Sequence, residues 1–158
     1  MDARNSATTE SDDRVLAIER IIDAPRSLVF KAWTDPQHLV RWWGPRGFTS
    51  SIVGNLEVRP GGSYRIHMRS PEGSDHWSQG IYTEVVEPEH LVMKGSWADA
   101  EGKPISPETV TTLTFEEHGG KTKLSLRTVG FESVTARNAH RGGWNSSLDM
   151  LEEYLAKA

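Results

Sequence analysis

Cysteine is absent from the 158 residues. Its absence removes disulfides, thiolate metal ligands and thiol redox chemistry, and it suits a reducing compartment. Long apolar runs are missing too: nothing approaches the ~18 consecutive apolar residues that a bilayer-spanning helix needs. The opening MDARNSATTESDDR is polar and acidic, without the apolar stretch of a signal peptide or membrane anchor. Asn145-Ser146-Ser147 fits a glycosylation acceptor, but without a secretory signal it is a chance match. The expectation is a cytoplasmic chain with no membrane span, a disordered tail over residues 1–12 and a single domain over 13–158. Lys and Arg, 18 in all, are outnumbered by 22 Asp and Glu and form no run. Nucleic acid is therefore not an expected partner, and neither is an acidic membrane surface.

Catalytic signatures are equally scarce. There is no G-x-S-x-G elbow, no phosphate-binding G-x-x-x-x-G-K-[ST], no G-x-G-x-x-G after a strand and no H-E-x-x-H. No cofactor and no metal is expected. His67 and His76 are close enough in sequence to meet across a hairpin, yet two histidines without a carboxylate partner are weak metal ligands.

What is present is periodicity. Residues 14–22 alternate, with apolar side chains on both faces, as a strand covered at least in part on each side. Asp23-Ala24-Pro25 changes the period, and Leu28, Val29, Ala32 and Trp33 follow at helical spacing. Asp35-Pro36 opens a second short helix with Asp35 as N-cap. It carries Leu39, Val40, Trp42 and Trp43 and stops at Gly44-Pro45. Strands are expected at 52–59, 63–69, 77–86, 91–97, 109–115 and 122–129, most of them joined by Gly- and Pro-bearing turns. From about Ser133 the pattern is helical again, and Trp144, Leu148, Leu151 and Leu155 form one stripe. Gly142-Gly143 interrupt it, at about 1 kcal/mol each relative to Ala, which marks a kink or a close approach. The sum is α+β: a curved antiparallel sheet of about six or seven strands, two short helices after the first strand, and a long C-terminal helix. The stripe on that helix has only the concave face of the sheet to bury against.

Five segments in register carry a resemblance: D-A-P…V-F-x-A-W-T-D-P…L-x-x-W-W-G-P, R-P-G-G-x-Y-R, G-x-Y-x-E-V-x-x-P, G-x-T-x-L and a terminal G-W…L-x-x-L, spanning about residues 14–156. They resemble the SRPBCC superfamily, also called START-like or birch-pollen-allergen-like. Within it they resemble the branch homologous to the C-terminal domain of the activator of the heat-shock chaperone ATPase. The matching positions are Trp33, Asp35, Pro36, Trp42, Trp43, Gly61, Gly62, Tyr64, Gly80, Tyr82, Pro88, Gly143 and Trp144. Glu57, where many relatives have Asp, and Gly142 beside Gly143 depart from the pattern. The resemblance implies a helix-grip fold with an interior cavity. Members of the superfamily carry lipids, bind plant hormones or cyclise polyketides, so fold alone does not settle function.

Strand parity selects candidate ligand-binding residues. Tyr64, Ile66 and Met68 share a face, as do Leu91, Met93 and Trp97, then Leu113 and Phe115, then Leu124 and Leu126. With Trp43, Phe48, Trp144, Leu148 and Leu151 these would line the space between sheet and helix and suit a small hydrophobic molecule. The plainer reading is that they fill a core. Tyr82 and Glu84 share a parity. Turned inward, Glu84 is the best candidate for a perturbed carboxylate and Tyr82 supplies a hydroxyl; turned outward, Glu84 pairs with a surface cation. Arg65, His67 and Arg69 fall on the solvated face. Trp42-Trp43 either closes the core or, if exposed with Phe48 over a collapsed cavity, docks a protein partner or a second copy. Three functions remain: binding of a small hydrophobic or amphipathic molecule, a cyclase- or hydrolase-type enzyme using a pocket carboxylate or histidine, and a co-chaperone-like interaction module.

Overall fold

The computed structural model describes residues 13–157, so the tail expected over residues 1–12 lies outside the described residues. The chain runs β1 (Leu16–Ile22), α1 (Arg26–Thr34), α2 (Pro36–Leu39), β2 (Thr49–Ile52), β3 (Ser63–Arg69), β4 (Asp75–Val86), β5 (His90–Ala98), β6 (Thr109–His118), β7 (Lys121–Val129) and α3 (Val134–Ala156). This is the expected α+β order. The strands form one antiparallel sheet in the order β1-β7-β6-β5-β4-β3-β2, so the first strand of the chain lies beside the last.

Local chemistry sets the helix ends. The Asp35 carboxylate accepts from the Gln37 N–H at 2.9 Å, which caps α2 with Pro36 in its first turn. The Ser133 hydroxyl accepts from the Ala136 N–H at 3.0 Å and starts α3. α1 has no side-chain cap: Pro25 itself occupies the N-cap position. The expected strand at 52–59 is corrected to β2. The chain leaves the sheet after Ile52 because Gly54 takes a φ of +76°, a left-handed conformation that favours glycine.

The inner face of the sheet is divided along its strands. Toward one end, Leu91, Leu113 and Leu126 stand in register across β5, β6 and β7, all buried, with Phe115 and Leu124 beside them. α1 covers this half: the Phe30 and Phe115 rings meet edge-on at 5.2 Å. Leu148, Leu151 and Leu155 on the C-terminal half of α3 are buried with it. Each Å² of apolar surface so removed from water contributes about 25 cal/mol to folding. Toward the other end the row becomes Met93, Thr111 and Thr128, and a helix–sheet contact there is that of His140 with Trp97.

α3 is tied to the sheet by a charged clasp. Arg20 on β1 donates to Asp149 at 2.6 Å, Glu152 at 2.8 Å and the Asn145 side chain at 3.0 Å. Arg46 donates to Glu153 at 3.2 Å from the loop after α2.

Candidate functional site

Where the sheet and α3 separate, a pocket of about 670 Å³ opens. Its floor is the inner face of β3–β7, with Tyr64, Met68, Met93, Gly95, Thr111 and Thr128. Its roof is the N-terminal half of α3, with Ala136, Ala139, His140, Gly143, Trp144 and Ser147. Four tryptophans wall it off from the core. Trp33 stacks on Trp144 at 5.6 Å and meets Trp42 edge-on at 4.6 Å, and Trp43 meets Trp144 at 5.3 Å. Trp42 donates its indole N–H to the Ala32 carbonyl at 3.0 Å, which fixes the wall to the end of α1. Trp43 and Trp144 face the pocket, and Trp33 and Trp42 lie behind them.

Polar side chains are interspersed among the apolar ones, including His76, Ser78, Ser96, Thr109, Glu132 and Ser147, and some are engaged with one another. Trp97 donates its indole N–H to His140 Nε2 at 3.1 Å, so the proton of the neutral imidazole is on Nδ1. Burial pushes the His140 pKa below its ordinary value, which keeps the ring in that neutral form. The Thr111 and Thr128 hydroxyls pair across β6 and β7 at 2.8 Å. Burial pushes the Tyr64 phenol above its ordinary range, with a smaller contribution from Glu108. It stays an un-ionised O–H. Among the described residues, no group of three or more His, Asp or Glu side chains is placed to hold a metal ion.

Of the candidates picked from parity, Trp43, Phe48, Tyr64, Met68, Met93, Trp97 and Trp144 line the pocket. Ile66, Tyr82, Leu113, Phe115, Leu148 and Leu151 are buried but do not line it. Glu84 is a correction. A bulge between Tyr82 and Glu84 reverses the parity of β4, so Tyr82 points in while Glu84 faces solvent and pairs with His90 at 3.1 Å. His67 and His76 do not meet: His67 bonds Asp75 at 2.9 Å on the outer face, whereas His76 reaches the pocket rim beside Phe48. Of the two alternatives for Trp42-Trp43, closing the core is the one found, because both rings are buried and the pocket has not collapsed.

Sequence reasoning missed His140, Thr111, Thr128 and Phe131, all of which line the pocket. The signal for His140 was present. It lies four residues before Trp144, so the stripe on α3 continues backward through His140 to Ala136, hidden by being partly polar.

The model of the family described as activator of Hsp90 ATPase homolog 1-like protein matches residues 23–156. Solved structures share the fold. The CV1439 protein from Chromobacterium violaceum is 26% identical with a TM-score of 0.78, covering 89% of this chain and 95% of that one. The AHSA1 protein from Silicibacter pomeroyi is 25% identical at 0.79, covering 90% and 97%. A protein from Arthrobacter aurescens, 24% identical, has a TM-score of 0.84 over 94% of this chain and 89% of that one. None of the curated proteins matches this chain. No helix among the described residues is long and apolar enough to cross a membrane.

Proposed function

From the premise that the chain belongs to the activator of Hsp90 ATPase homolog 1-like family, within the SRPBCC superfamily, we propose that it binds a small hydrophobic or amphipathic molecule between the sheet and α3. The observation that carries this reading is the pocket of about 670 Å³ with Trp43, Trp97 and Trp144 on its walls. Small-molecule sites span ~300–1,000 Å³ and combine apolar walls with a few polar groups. The driving force is apolar burial at about 25 cal/mol per Å², less the cost of immobilising the ligand. Two further observations support it. The aromatic wall is held rigid from behind by Trp33 and Trp42, so little ordering is left to occur on binding. The enzyme reading loses its leading carboxylate, because Glu84 lies outside the pocket and pairs with His90, and the carboxylate that does line the pocket is Glu132.

The test is native mass spectrometry of freshly purified protein beside a denatured control. Extra mass that disappears on denaturation identifies a carried molecule. A clean apo mass, together with no retention of flat apolar probes in dialysis, refutes the reading.

A further inference from the structure

Resting on that binding reading, we infer that the Tyr64 hydroxyl is the donor that orients the occupant, and that the occupant is a neutral, flat molecule bearing a carbonyl-type oxygen. Tyr64 lines the pocket and is only 6% exposed. Tyr82, packed against it at 5.4 Å, is fully buried and does not line the pocket, so its hydroxyl is out of reach of a ligand. Buried tyrosines usually carry a hydrogen bond, and the pocket is where the Tyr64 hydroxyl, buried and set against Gly80 and Gly95, can find one.

Two glycines, required first by the close approach of the β4 and β5 backbones at Lys94 and Gln79, also leave room for this phenol. Tyr64 stands in register with Gly80, and Gly80 with Gly95. A Cβ at Gly80 would lie 2.8 Å from the Tyr64 oxygen, and one at Gly95 only 2.3 Å from it. The glycine pair thus leaves a bare channel across β4, along which the ring reaches from β3 to β5. Its hydroxyl ends over Gly95, which is itself pocket floor.

Charge selects the rest of the ligand. The ionisable side chains lining the pocket are Tyr64, His76, Glu132 and His140; no Lys or Arg is among them. A carboxylate or phosphate entering here gives up hydration and meets no Lys or Arg. A carbonyl or ether oxygen has a far smaller desolvation cost, and one O–H donor satisfies it. The faces of Trp43, Trp97 and Trp144 favour a planar π-system over a flexible chain.

The test uses 9-fluorenone, fluorene and fluorene-9-carboxylate as probes, in equilibrium dialysis against wild type and Tyr64→Phe. The measured quantity is the ratio of fluorenone to fluorene affinity, which cancels their different solubilities. Losing one neutral hydrogen bond lowers that ratio about two- to tenfold in Tyr64→Phe, while fluorene retention stays unchanged. Unchanged fluorene retention also reports that the variant is folded. The carboxylate is expected to bind wild type at least tenfold more weakly than fluorene. An equal ratio in both proteins, with fluorene retained, overturns the role of Tyr64 and leaves the binding reading standing. Carboxylate binding as tight as fluorene overturns the neutral-ligand assignment. No retention of either neutral probe by wild type overturns the inference and the binding reading together.

Discussion

Replacing Tyr82 by Phe should stabilise the protein. The side chain is fully buried and its hydroxyl has no hydrogen-bond partner among the described residues. Leaving such a group unsatisfied costs about 1–3 kcal/mol, and burial accordingly pushes the Tyr82 phenol well above its ordinary range. Deleting the oxygen removes that penalty. It also removes the dispersion contacts of one atom, a few at about 0.1–0.2 kcal/mol each. The net expectation is a gain of about 1 kcal/mol. In urea unfolding the midpoint should rise with the m-value unchanged, and Tm should rise by about 2–4 °C. If Tyr82→Phe lowers stability by more than about 0.5 kcal/mol, the hydroxyl is satisfied in solution and the reasoning fails.

Three other expectations concern α3. Gly142→Ala should raise stability by about 1 kcal/mol, because the new methyl meets nothing within 4 Å; calorimetry showing a lower Tm would contradict this. Arg20→Gln should cost about 1–2 kcal/mol in denaturant unfolding, since it breaks two charge-assisted bonds whose partners are partly in water. Part of the wild-type advantage should vanish in 1 M salt, and a salt-independent difference would argue against the clasp. His140 is held neutral when folded, with its pKa below the ordinary 6.5. As pH falls through that value the unfolded chain takes the proton first, so this group costs stability on acidification until the folded form also protonates. His140→Gln can keep an acceptor for the Trp97 indole and should therefore show a shallower loss of Tm between pH 7 and 5; parallel slopes would refute it.

The succession of strands along the chain was legible because hairpin turns with fixed chemistry separate them, and α2 because Asp35-Pro36 combines a cap with a first-turn proline. β2 escaped because Thr-Ser-Ser-Ile has almost no apolar alternation; it is a strand by virtue of its pairing with β3. Glu84 was misplaced because a bulge leaves no mark in a period of two. The division between core and pocket was not legible at all. Ile66 and Met68 share a strand, a parity and deep burial, yet only Met68 lines the pocket. Which half of the sheet is filled depends on where α1 and Trp33 come to rest, a tertiary outcome with no local signature.

The partition of α3 bears on how such a chain can change over generations. Its pocket positions run from Ala136 to Ser147, whereas Leu148, Leu151 and Leu155 hold the fold together. Truncating one of these leucines costs about 2–5 kcal/mol, a large share of the stability of a small domain. Altering Ala139, exposed on its outer side, touches almost none of it. Inheritance of the architecture and inheritance of ligand preference are thus carried by different halves of one helix. A lineage can drift toward a new occupant through the first half with no compensating change in the second, and relatives that share this fold at low identity should diverge there first.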